Sequence, residues 1–190
     1  FTAKGNSEKI SYGTYNMSNW ALNINSNNNN TMIITTSSDR INLSDSVYLS
    51  AFKFNAESLD KNSHFTINWD NQLKPRQNAG NIAGNVDFSN SGMDMLLEKF
   101  NVIIVDSNWV MTNPNHLIID STGLVNFNNL ELVNNGQKIA LKGLISKNPK
   151  DQLMISFENF RLMQFNPALK SSNLTLDGTI SGTSNISDVF

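Results

Sequence analysis

Apolar and polar residues alternate with period two along most of this chain, and they almost never recur with helical spacing. In "HFTINWD", Phe65, Ile67 and Trp69 alternate with Thr66 and Asn68. "KIALKGLIS" sets Ile139, Leu141 and Ile145 on one face, and "QLMISFEN" does the same with Leu153, Ile155 and Phe157. "NLTLDGTISG" aligns Leu174, Leu176 and Ile180. Side chains of a strand point to opposite faces in turn, so such runs specify antiparallel strands with one greasy and one wet face. Turn signals separate them: Asn134 to Gly136, Asn113-Pro114, Asn148-Pro149 and Asn166-Pro167. One segment stays ambiguous. In "SGMDMLLEKF", Met93, Leu96, Leu97 and Phe100 fall at i, i+3, i+4 and i+7, which suits a helical turn or two as well as a strand running into "FNVIIVD".

The alternation also repeats on a larger scale. "SNWALNINSNNNNTMII" and "SNWVMTNPNHLII" share an opening and a closing Ile pair, with Trp20 and Trp109 about 89 residues apart. "FTINWDN" is echoed by "LMISFEN" and "NIAGNV" by "TLDGTI", in the same order and at offsets of about 88 and about 94 residues. Collinear echoes predict two tandem units, 10–90 and 92–184, with 1–9 and 185–190 continuing into the rest of a longer protein. "FNNLEL" and "FENFRL" each shift their apolar phase by one at an Asn, as a β-bulge would.

Composition narrows the chemistry. The 190 residues can bury a core, and a hydrophobic fraction of 39% argues against disorder. A net charge of -2 without a basic cluster excludes a phosphate-backbone binder, so no nucleic-acid partner is expected. The absence of cysteine excludes disulfides, thiolate metal sites and thiol catalysis. The chain starts at Phe1 with no signal-like segment behind it, so it reads as a piece of a larger protein. The longest apolar run, "FNVIIVDSNWVM", is broken by Asp106 and Asn108 and falls short of a membrane-spanning helix.

Candidate reactive groups do not converge on any known pattern. His64 and His116 open strand-like runs beside polar residues, which suits solvated strand ends, and no paired-histidine metal spacing occurs. Serine is plentiful, but no G-x-S-x-G elbow accompanies it. "SSDR" lacks the oxygen-ligand density of a calcium loop, and sequons such as Asn29-Asn30-Thr31 are expected by accident in so Asn-rich a chain. Gly84, Gly143 and Gly178 sit inside strand patterns, marking bends, bulges or close backbone approach. Trp20, Trp69 and Trp109 fit core anchors better than ligand stackers. No catalytic residue, metal or cofactor is therefore expected, and the apolar face itself is the candidate site.

From Trp109 to Gly182 the chain presents, in order, a Trp-led strand, two strands joined at "NGQ", "GLIS", "NPKDQL", "FENFRL" and "LDGTISG". This series resembles the C-terminal region of TamB-like translocation and assembly module proteins of diderm bacteria, and "INWDN" with "GNIAGNVDF" is similar to what precedes it there. The resemblance implies an all-β, elongated and curled sheet forming a U-shaped apolar trough. It implies a non-enzymatic periplasmic role carrying phospholipid acyl chains as an AsmA-like bridge protein. It further implies attachment to the inner membrane and docking to an outer-membrane TamA/BamA-type barrel through other parts of the protein. The lining expected on this basis is Phe65, Ile67, Trp69, Ile82 and Val86, then Val102 and Ile104, then Ile139, Leu141 and Ile145. Leu153, Ile155, Phe157, Leu174, Leu176 and Ile180 complete it. Two other readings remain open: an Asn-rich adhesin of β-solenoid form, and a β-sandwich that binds or cleaves carbohydrate.

Overall fold

A computed structural model describes residues 1–13, 15–27, 30–43, 47–71, 78–104, 107–169 and 172–187. Asn29 of the first sequon and Asp106 of the interrupted apolar run lie outside these residues. The strands are β1 (Thr2–Tyr12), β2 (Tyr15–Ser26), β3 (Thr31–Asn42), β4 (Tyr48–Leu59), β5 (Asn62–Asp70) and β6 (Ala79–Ser89). They continue as β7 (Gly92–Ile104), β8 (Ser107–Met111), β9 (Asn115–Asp120), β10 (Val125–Asn134), β11 (Gln137–Ile145), β12 (Leu153–Arg161) and β13 (Thr179–Ile186). All belong to one antiparallel sheet in which each strand pairs with the next. The exception is informative. β8 and β9 both pair with β7 on one side and β10 on the other, so they lie end to end as a single long strand interrupted at Asn113-Pro114.

Local chemistry accounts for the hairpins. Asn135 and Gly136 take φ of 44° and 78°, the positive values a two-residue turn between twisted strands requires. Asp60 at φ 53° begins the equally tight turn from β4 to β5. β6 and β7 are joined by Asn90 and Ser91 alone, so the boundary expected between 10–90 and 92–184 falls at a tight turn inside a continuous sheet. Asn166-Pro167 proves to be something other than a strand turn. It heads a four-residue helix α1 (Asn166–Leu169) that follows a 3-10 turn (Leu162–Phe165), both within the excursion between β12 and β13.

Bulges settle the ambiguous patterns. Met93–Phe100 is strand: between Gly84↔Leu97 and Ala83↔Lys99 the register slips, with Glu98 as the extra residue. Met93, Met95 and Leu97 thus share a face with Phe100 and Val102, and a strand mimics helical spacing. The shifts in "FNNLEL" and "FENFRL" are bulges, between Phe127 and Leu130 and between Phe157 and Phe160, the second with Asn159 at φ 50°. Gly84 and Gly143 sit where a Cβ would come 2.3 Å from the carbonyl oxygens of Leu96 and Gln152. Gly178, at φ 94°, stands in open space before β13 rather than inside a strand.

Burial is shallow. Among the described residues no second sheet covers the apolar face, and no large side chain is sealed off completely. The chain exposes 11908 Å², whereas a compact monomer of this mass exposes roughly 9,100 Å². The difference belongs to a single-layer architecture.

Gly84→Ala should destabilise the fold by about 2 kcal/mol, because the obstructing atom is backbone. Gly5→Ala, whose Cβ would meet only the Trp20 ring at 3.4 Å, should cost about 1 kcal/mol or less. Urea unfolding that ranks the two equally would contradict this packing.

The β9–β10 turn supplies a pH test. The Asp120 carboxylate accepts Thr122 Oγ at 2.7 Å, Leu124 N at 3.0 Å and Thr122 N at 2.8 Å, which holds its pKa below the ordinary 3.8. A depressed folded pKa gives stability that is complete above the unfolded value and lost as pH falls through the folded one. Wild type and Asp120→Ala should therefore differ in urea midpoint at pH 7 and converge as the pH drops below that value.

Candidate functional site

The register puts apolar side chains in rows across the sheet. One row runs Ile24, Ile34, Ala56, Phe65, Gly84 and Leu97 from β2 to β7. A second runs Phe54, Ile67, Ile82 and Phe100, and a third Trp69, Gly80, Val102 and Trp109. Met111↔Leu132, Leu117↔Phe127 and Ile119↔Val125 carry the face across to β10. Beyond it lie Leu132, Ile139 and Phe157, then Leu130, Leu141 and Ile155, with Leu153 opposite Gly143. Paired residues of an antiparallel ladder project to the same side, so these rows form one apolar face. Twelve ladder positions at about 4.8 Å make it about 50 Å long, measured along the ladder.

Aromatic rings close over glycines on the neighbouring strands. The Trp69 indole lies where a Gly80 Cβ would be, at 2.0 Å, and the Phe65 ring would stand 3.2 Å from a Gly84 Cβ. A missing side chain lets the ring lie flat and fill the gap, which keeps the face smooth.

Most of the expected lining is on this face. Phe65, Val86, Val102 and Leu153 are buried, and Ile67, Trp69, Ile82, Ile139, Leu141, Ile145, Ile155 and Phe157 are half-buried. Ile104 and Ile180 share the side but are exposed, at a strand end and on the edge strand β13. Leu174 and Leu176 do not belong to it. The Asn166 side-chain amide donates to Leu176 O at 3.0 Å and accepts from Leu176 N at 2.7 Å, so this segment cannot join the ladder. The strand starts only at Thr179. Period two alone missed Leu97, Leu130 and Phe160, because a bulge resets the phase between Leu97 and Phe100 and ahead of Leu130 and Phe160; the Asn before Leu130 and the Asn before Phe160 were the available signals.

Near Trp109 the face ends in a polar network. Trp109, 3% exposed, donates its indole N–H to Gln164 Oε1 at 2.8 Å, while Gln164 Nε2 reaches Gln137 Oε1 at 3.2 Å and Ser107 Oγ at 3.4 Å. Trp109, Phe157 and Phe165 surround Phe160, with ring centroids 5.7, 5.4 and 5.1 Å from it. The 3-10 turn thereby clamps this end of the sheet.

The opposite face is wet. Asn81 donates to Asn68, Asn55 to Thr66, and Asn85 links His64 to Glu98. His116 pairs with Asp94 at 2.9 Å on the surface, and Lys138 with Glu158 at 3.4 Å. Trp20 and Trp109 both lie on the apolar side. Ile33-Ile34, however, occupies the strand after Trp20, whereas Ile118-Ile119 shares the interrupted strand of Trp109.

Trp109→Phe should cost about 1 kcal/mol by leaving Gln164 short of a donor, and Trp109→Ala about 3–5 kcal/mol. Urea midpoints unchanged in both would remove Trp109 as the anchor of this end.

Comparisons with protein-family models, with curated proteins and with solved structures returned no match.

Proposed function

We propose that this chain is a non-enzymatic segment of a periplasmic TamB-like protein, whose apolar face carries phospholipid acyl chains between membranes. The single observation behind this reading is a continuous apolar face that spans the ladder, its side chains half-buried by their neighbours in the same sheet, with no second sheet over it among the described residues. An apolar face of this extent without a covering layer marks a surface with a partner. An acyl chain costs about 0.8 kcal/mol per CH₂ to hold in water, more than roughly ten kcal/mol for a whole tail. A lining of Ile, Leu, Phe and Val removes most of that cost without gripping any one lipid.

Dimensions agree. A tail spans about 15 Å, half of a bilayer's hydrocarbon core, so it covers about three strand spacings. The face offers several such lengths in series, which suits passage better than a single tight site. On this reading the sheet curls into a trough, the tandem echoes extend its length, and membrane attachment and the outer-membrane barrel partner belong to other parts of the protein. The alternating wet face, with its Asn, Ser and Thr side chains, meets the periplasm.

A photo-crosslinking residue at Ile67 or Ile155 should capture phospholipid in cells, while one at Asn68 or Ser156, on the wet face, should capture about tenfold less. Ile155→Asp should abolish capture at Ile67 if lipid must pass along the face, with the melting transition retained. Equal capture on both faces, or undiminished capture in Ile155→Asp, would contradict the conduit.

A further inference from the structure

We propose that a recess on the wet face, over β2, β3 and β4, binds a sugar ring through its hydroxyl groups. The inference goes beyond the lipid reading and does not depend on it, because the recess and the apolar face lie on opposite sides of the sheet. Register builds the recess. Ala21, Ser37 and Lys53 pair across the three strands, and so do Asn23, Thr35 and Asn55. These six side chains therefore project to one side, where they line a recess of about 260 Å³.

One atom here differs from its surroundings. Asn23 Oδ1 is buried, and among the described residues it is the only buried side-chain polar atom without a hydrogen-bond partner. Other amides of the wet face are satisfied, Asn81 by Asn68 and Asn85 by Glu98. Buried acceptors are almost always partnered, so an orphan beside a cavity points to a ligand that donates. Lys53, on the same side, forms no ion pair among the described residues. Its ammonium can only donate, so the same ligand must also accept.

Those two demands select the chemistry. A hydroxyl both donates and accepts, and adjacent hydroxyls on one ring can meet Asn23 and Lys53 together. An anion would set its charge against the Asn23 carbonyl oxygen. A peptide strand would need free backbone groups, but β2, β3 and β4 are each paired on both sides. The methyl groups of Ala21 and Thr35, with the Lys53 stem, offer an apolar bed for the C–H face of a ring. At about 260 Å³ the recess is smaller than the roughly 300–1,000 Å³ of pockets for drug-sized ligands, which suits a single ring.

The test titrates glucose, galactose and mannose separately against the protein and follows the side-chain amide signals of Asn23 and Asn55 by NMR. At least one sugar should shift both signals saturably, while tetrahydropyran, the same ring without hydroxyls, should shift neither. Asn23→Leu and Lys53→Met should each weaken that binding, read at Asn55, by about tenfold, with the melting transition retained. Ala21→Trp, which fills the recess from an exposed position, should abolish it. Tighter binding of an oligosaccharide of the same sugar would assign the site to a glycan chain, and equal affinity to the free sugar. No saturable shift with any of the three sugars, binding untouched by Asn23→Leu and Ala21→Trp, or a response to triglycine alone would overturn the site and leave Asn23 Oδ1 to water.

Discussion

Everything in this molecule depends on cross-strand register. Because side chains alternate sides along a strand, a slip of one residue would move a whole strand's apolar set to the wet face. With no second sheet to pack against among the described residues, correct pairing assembles Phe65, Ile67, Ile82 and Phe100 into neighbours. Turns such as Asn135-Gly136 and Asp60-Lys61 fix the register at its source, and the alternation enforces it along the strand.

Bulges let so long a ladder keep one greasy side. Each adds a residue where the phase would otherwise fail, and each increases local twist. Those at Glu98, before Leu130 and at Asn159 fall on β7, β10 and β12, and Gly84 leaves room for the Leu96 carbonyl beside the first of them. Twist repeated along the ladder bends a single-layer sheet, which is the physical route by which these strands would form the trough proposed above.

Much of the sheet was legible in the sequence because period-two alternation is a local property. Phe65, Ile67 and Trp69, and likewise Leu153, Ile155 and Phe157, can be placed on one face without knowing their neighbours. The Asn-linked bulges in "FNNLEL" and "FENFRL" were legible for the same reason. Leu174 and Leu176 were not. Their alternation is as regular as any, but the Asn166 side chain, ten residues from Leu176, takes the backbone groups the ladder would need. The Gln137–Gln164–Trp109 network was equally hidden, since its members are 27 and 55 residues apart and meet only once the sheet has formed. Met93–Phe100 imitated a helix because one extra residue in a strand reproduces i, i+3, i+4 spacing over a short window.

The central claim is that the apolar face, and only that face, is in contact with acyl chains. Paramagnetic broadening of methyl signals by a phospholipid spin-labelled in its tail tests it directly. Ile67, Ile82 and Ile155 should broaden strongly, while Ile103 and Ile118, whose register places them on the other side of the sheet, should stay sharp. Uniform broadening on both sides, or none on the apolar side at saturating lipid, would contradict the account.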